Sequence, residues 1–273
     1  MAQLSTVVWG GSAAFYTLAA IAHVYYIFMR SFAEVARWAA RVAFAVQTAG
    51  VALLIAETGR APVHTLFEFA YFFTWFMMAV YIGAEAYAKN QAAGSFLVPS
   101  IAGGLVVTVT LPKPSPEQML YDFPAALIGW HVGVMMLGYA FLTASFVAGA
   151  LYLIQERNLR RKKWGPIYYR LPSLEWLDVW SGRMIYVGFS LVTIGMTAGL
   201  IFAHVTWSSF WESDPKVIFT VFVWLAYGAY GLMRNVWGWG GRKAAWWAVI
   251  GVLGLIVNYF IINLVSELHR FGV

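Results

Sequence analysis

Eight apolar runs, each of about bilayer-crossing length, recur along this chain and leave little room for any other architecture. A helix of about twenty apolar residues traverses the hydrocarbon layer and carries its own backbone hydrogen bonds across. With 61% of residues hydrophobic and 11% charged, a soluble domain is excluded. The expected fold is all-α: a polytopic integral membrane protein with eight transmembrane helices, organised as a single transmembrane domain over 1–273. The runs fall at about 5–28, 39–57, 65–87, 94–111, 124–153, 182–204, 216–235 and 244–266. The first lacks a basic leader and a small-residue cleavage site, so it reads as a retained helix.

Glycine and proline punctuate the connections. Glu57-Thr58-Gly59-Arg60-Ala61-Pro62 is a turn after the second span, and Pro112-Lys113-Pro114-Ser115-Pro116 stops the fourth. The fifth run continues past Leu153 into Gln155-Glu156-Arg157-Asn158-Leu159-Arg160-Arg161-Lys162-Lys163. Its roughly thirty helical residues measure about 45 Å, so its end should protrude from the bilayer. The connection that follows carries Trp164, Tyr168, Tyr169, Trp176 and Trp180 and is expected to lie in the interface.

Placing alternate loops on opposite sides puts fourteen of the eighteen lysines and arginines on one face. Arg60, Lys113, Lys216 and Arg270 fall on the other. The crowded face is cytoplasmic by the positive-inside rule. Both termini are then extracytoplasmic, and the expected location is the cytoplasmic membrane of a bacterium or archaeon. The net charge of +6 is thereby accounted for by topology, and no nucleic-acid partner is expected.

Without cysteine, disulfides, thiolate metal sites and a thioether cofactor link are excluded. Histidine is left as the natural soft-metal ligand, and there are five. His64, His131, His204 and His269 fall at the extracytoplasmic ends of their spans, while His23 lies nearer the cytoplasmic side. The same outer surface carries the stretch 204–216, in which Trp207, Phe210 and Trp211 place three rings within five residues. That is more than an interfacial anchor needs, although an aromatic belt is the plainer reading. Asp214 followed by Pro215 is a helix start: a carboxylate cap and a proline at the first helical position.

Axial ligation of haem iron fits this set. Neutral imidazole is a standard iron ligand, two of them close an octahedral iron, and aromatic rings offer flat apolar surface to a porphyrin. The haem would be b-type and non-covalent, with Lys216 and Arg270 as candidate partners for its propionates. Zinc is the rival metal, with Asp214, Glu57 or Glu267 completing a site of three or four ligands. For His64 and His204 a polar interfacial role stands beside ligation. Glu68, four residues after His64 and on the same helix face, is either functional or hydrogen-bonded to another helix.

Trp207, Phe210, Trp211, Asp214, Pro215 and Lys216 together resemble the tryptophan-rich "WWD" segment of the CcsA/CcmC/CcmF haem-handling family. The likeness continues through Trp224, Tyr227, Tyr230 and Arg234, then Gly241-Arg242-Lys243-Ala244-Ala245-Trp246 and Asn258, Asn263 and His269. Upstream, Trp130-His131-Val132 with Gly138-Tyr139-Ala140 looks like the helix bearing the family's first external histidine. Pro62, His64, Leu66 and Glu68 look like an earlier family segment. The resemblance implies a haem-handling core over about 60–273, a WWD-like external loop at 204–216, and His131 with His269 as the iron ligands at the outer surface. Ser213 and Val217 stand where the family usually has tryptophan and glutamate. The histidine that such members often carry near the arginine of span seven is missing beside Arg234, so no inner haem site is expected. The looser motif looks most like the HemX branch.

The implied function is a membrane haem-binding and haem-transport protein serving cytochrome c assembly, with haem, the bilayer and an assembly partner as its partners. No nucleophile–base pair or phosphate loop is present, so a carrier or assembly factor is expected, not an enzyme. A HemX-like regulator of haem biosynthesis, acting on the level of glutamyl-tRNA reductase, is one alternative. It would dock a soluble partner on the basic segment 156–170, which reads equally as a lipid-headgroup contact. A quinone-dependent membrane oxidoreductase, with Glu68 and the histidines relaying protons, is another.

Overall fold

The computed structural model describes residues 2–88, 90–112, 125–162, 165–207 and 214–258. Among these, every regular element is helical. In chain order they are α1 (Ala2–Phe28), a short 3₁₀ turn (Arg30–Phe32), α2 (Ala33–Thr58), α3 (Leu66–Ala88), α4 (Gly94–Thr110), α5 (Ala125–Arg160), α6 (Pro166–Arg170), α7 (Leu174–Trp207), α8 (Pro215–Trp237) and α9 (Arg242–Ile256). Six of them are long and apolar enough to cross a membrane: α1, α2 with the turn before it, α3, α5, α7 and α8. The seventeen-residue α4 is apolar but shorter, about 26 Å against a hydrocarbon layer of about 30 Å. The protein is thus a multi-pass, all-helical membrane protein.

Helix ends follow local chemistry. Gly59, at φ 68°, takes the left-handed conformation that stops α2, and its N–H bonds to the Ile55 carbonyl. Ser173 starts α7 by accepting from the Trp176 N–H through its hydroxyl, at 3.2 Å. That cap draws Trp176 and Trp180 into a continuous 34-residue helix, where the sequence had suggested an interfacial connection up to about residue 182. α5 runs unbroken to Arg160 over 36 residues, about 54 Å, so the expected overlong fifth helix is present.

The chain divides into two compact units. The first holds residues 1–122 and 158–172, built on α1 to α4 and α6. Its core packs Tyr16, Leu54, Phe67, Tyr71, Met78 and Leu105, all fully buried. Gln47 ties three helices together: its amide donates to the Tyr71 carbonyl and the Thr74 hydroxyl, each at 2.9 Å, and its oxygen accepts from Tyr16. Such interhelical polar contacts hold membrane bundles in register where no hydrophobic contrast exists between helix and lipid.

The second unit holds residues 123–157 and 173–273, with α5, α7, α8 and α9. Met135, Leu142, Ile185, Val192, Val223, Tyr227 and Ala248 belong to its core. α5 and α7 run antiparallel in close contact, with Gly138 against Val192 and Gly188 against Leu142. A Cβ at either glycine would come within 2.9 Å of those side chains, so the approach depends on their absence.

Candidate haem-binding site

His131 sits in the second turn of α5, partly buried, beside an exposed Trp130. Its Nδ1 lies 2.8 Å from the carbonyl oxygen of Gly195 on α7. A carbonyl only accepts, so Nδ1 carries the proton and the neutral ring keeps its lone pair on Nε2. Metal-ligating histidines commonly donate their second N–H in this manner, which fixes tautomer and ring plane. One turn further along α7, Gly199 leaves the space the ring occupies: a Cβ there would lie 2.7 Å from His131 Cε1 and 2.8 Å from Nδ1. Gly195 likewise makes room for Met135, whose Cγ and Sδ would be 2.7 Å from a Cβ at 195. The pair Gly195 and Gly199 lies one turn apart on the same face of α7. It forms the cradle of the imidazole.

Asp214 is buried and caps α8: its Oδ1 accepts from the Lys216 N–H at 2.8 Å, with Pro215 at the first helical position. The expected helix start is therefore present. Lys216 is close enough for its charge to act on the His131 ring. His204 is exposed in the last turn of α7. Five residues after Gly199 it is turned about 140° from the face that meets His131. Phe210, Trp211 and His269 lie outside the described residues, as does the side chain of Trp207, the last residue of α7.

At the opposite end of this unit, Arg234 of α8 grips Asp178 of α7 through both terminal nitrogens, at 3.1 and 2.9 Å, and also donates to the Tyr230 hydroxyl. Asp178 in turn accepts from the Gly241 N–H at 2.9 Å, where α9 begins. One carboxylate thus joins three helices.

Glu68 and His64 belong to the first unit and form a closed polar group. Glu68 is fully buried, and its Oε2 accepts from the backbone N–H of His64 at 2.8 Å and of Thr65 at 3.3 Å. Thr65 returns the contact by accepting from the Glu68 N–H at 3.1 Å, a capping box at the start of α3. Arg60 pairs with both carboxylate oxygens, at 3.0 and 3.2 Å, and also donates to His64 Nδ1. The neutral His64 ring therefore carries its proton on Nε2, the reverse of His131. Burial and the neighbouring Arg60 charge hold the His64 pKa below its usual value. Thr65-Leu66-Phe67-Glu68 has the spacing of a capping box, a signal not drawn on in the sequence-based expectations; the arginine partner leaves no such signal.

His23 is fully buried with both ring nitrogens engaged, donating to the Ala19 carbonyl and accepting from the Tyr81 hydroxyl, each at 2.8 Å. Among the described residues no three of His, Asp and Glu gather as a metal cluster, so the zinc reading finds no support there. A single imidazole with a fixed tautomer and an Nε2 that has no hydrogen-bond partner among the described residues has, by contrast, the chemistry of one axial haem ligand.

Comparison with known proteins agrees with this direction. A family model described as "Cytochrome C assembly protein" matches residues 63–269. The chain is similar to "Cytochrome c biogenesis protein CcsA" of Gloeobacter violaceus, 28% identical over 79% of this chain and 80% of the relative. It is 31% identical to the protein of the same name from Microcystis aeruginosa, again over 79% and 80%. It is also similar to "Protein HemX" of Bacillus subtilis, 26% identical over 89% of this chain and 88% of the relative.

Proposed function

Because the chain belongs to the cytochrome c assembly protein family, we propose that it binds b-type haem non-covalently at the outer surface of the cytoplasmic membrane and presents it there for cytochrome assembly or related haem handling. The observation that carries this reading is the His131–Gly195 hydrogen bond. It commits the imidazole to the tautomer that iron needs before any ligand arrives, so no proton has to move on binding. His269 is the proposed second ligand, with Trp207, Phe210 and Trp211 as the flat apolar surface. Lys216, beside the Asp214 cap, is the proposed partner of a propionate, and Arg270 its companion. Bound haem would supply the group that is passed on. The protein supplies the ligands, the apolar shelf and the exclusion of water, and acts as a carrier or assembly factor. The full architecture proposed is eight spans with both termini extracytoplasmic, α4 and α9 making up the number.

His64 and Glu68 enter this reading as structural groups. The carboxylate is committed to Arg60 and to two backbone N–H groups, and His64 Nδ1 is held by the same arginine. A proton relay through Glu68, as a quinone oxidoreductase would use, has no support from that arrangement. A HemX-like regulatory role in haem biosynthesis remains the second reading, favoured by the larger share of both chains over which the HemX likeness extends.

The test is the absorption spectrum of the purified protein, oxidised and reduced, for wild type and the His131→Ala, His269→Ala double variant. A low-spin haem spectrum in the wild type, lost in the variant, is expected. A wild type that neither retains haem nor develops a histidine-dependent spectrum when haem is supplied rules the proposal out.

A further inference from the structure

In the first unit, at the end of α2 remote from Arg60, a cleft of about 420 Å³ opens between α2 and α3. Glu34, Arg37, Trp38, Arg41, Glu85 and Ala86 line it. Glu85 is 4% exposed, and its two oxygens are in different situations. Oε1 accepts from Arg37 Nε at 2.9 Å and from the Gln91 amide at 3.2 Å. Oε2 is buried with no hydrogen-bond donor among the described residues, and the Arg41 guanidinium stands 4.0 Å from it. Buried carboxylate oxygens are seldom left without donors, since burial strips their water and returns nothing.

Arg41 lies over the Trp38 ring, 5.6 Å from its centroid, and a third of its side chain is exposed. Trp38 itself is 62% exposed, on a helix that also exposes Val35 and Val42. An indole at the end of a membrane helix sits at headgroup depth, and Val42, one turn deeper along α2, faces where acyl chains run. The cleft therefore presents a cation at its mouth and a donor-seeking carboxylate oxygen inside. Its two arginines and two glutamates sum to zero charge, which suits a zwitterion better than an anion.

We propose that this cleft seats the headgroup of an ethanolamine phospholipid, its phosphodiester on Arg41 and its ammonium donating to Glu85 Oε2. A choline headgroup has the same net charge but no N–H to give. A glycerol headgroup has hydroxyl donors but brings an uncompensated anion toward Glu34 and Glu85.

The experiment is competition among lipids of identical acyl chains for the full-length protein, read by native mass spectrometry. Phosphatidylethanolamine is expected to be retained about tenfold over phosphatidylcholine and phosphatidylglycerol, the size of one charge-assisted hydrogen bond. The N,N-dimethyl lipid, which keeps one N–H, is expected to bind like the parent. Arg41→Gln is expected to weaken ethanolamine and choline lipids alike, and Glu85→Gln to erase the difference between them. Should Glu85→Gln not fold, the methylation series on wild type decides. Equal retention of choline and ethanolamine lipids, a preference for the glycerol lipid, or displacement by an equal concentration of soluble glycerophosphoethanolamine overturns the proposal.

Discussion

His131 on α5 and Gly195 on α7, 64 residues apart in sequence, are joined by a hydrogen bond of 2.8 Å from ring to backbone. Because the acceptor is a carbonyl, this contact decides where the imidazole proton resides.

The cradle around the ring is testable at Gly199. Alanine raises helix propensity by about 1 kcal/mol, so Gly199→Ala should not weaken α7 itself. Its Cβ would nevertheless collide with the imidazole. We expect haem affinity to fall about 10- to 100-fold, as when a metal ligand loses its supporting contact, with helix content by circular dichroism unchanged. Gly133→Ala, where a Cβ meets nothing within 4 Å among the described residues, is the control and should bind normally.

Arg60→Ala strands the fully buried Glu68 carboxylate. Removing one partner of a buried pair costs about 3–5 kcal/mol, so a marked drop in the midpoint of thermal unfolding is expected. Haem-free protein should show the drop in full. A variant that keeps its stability and loses only haem would assign Arg60 and Glu68 to the binding site instead.

Acidification should act through His64. An unfolded imidazole titrates near about 6.5, and His64 in the folded chain titrates lower. Below that pH the unfolded chain takes up the proton first, so stability is complete above about pH 6.5 and declines as pH falls below it. Unfolding midpoints across pH 5 to 8, compared with His64→Asn, should show a flatter acid limb in the variant.

Asp214 separates capping from ligand contact. Asp214→Ala removes the acceptor for the Lys216 N–H and should cost about 1 kcal/mol. Asp214→Asn keeps a capping oxygen and should restore most of that stability. If haem binding is normal in the asparagine variant, the carboxylate acts only as a cap; if it falls as far as in the alanine variant, its charge serves the bound group.

The helices were legible because bilayer length, proline and glycine mark them directly, and Asp214-Pro215 announced the start of α8. The start of α7 was not: Trp176 and Trp180 look interfacial in sequence, and only the Ser173 cap shows that the helix already runs through them. At the site, His131 was found by its place near a span end and by family likeness. Its supporting acceptor is a main-chain atom, which has no letter of its own in a sequence. Glu68 was visible as a costly buried charge, but its partner Arg60 comes from a turn eight residues upstream whose course the residues alone do not give. Asp178 carries no such signal in the sequence, because its partners, Arg234 on α8 and Gly241 at the start of α9, lie 56 and 63 residues away.

A carbonyl is present in every peptide unit, so the acceptor for His131 needs no particular side chain, only the close approach to Met135 that Gly195 allows. What this chain has to maintain is an omission, the missing methyl at position 199. Redesign of α7 by the usual route of filling helix glycines with alanine would therefore raise the apparent quality of the helix while switching off the residue packed against it.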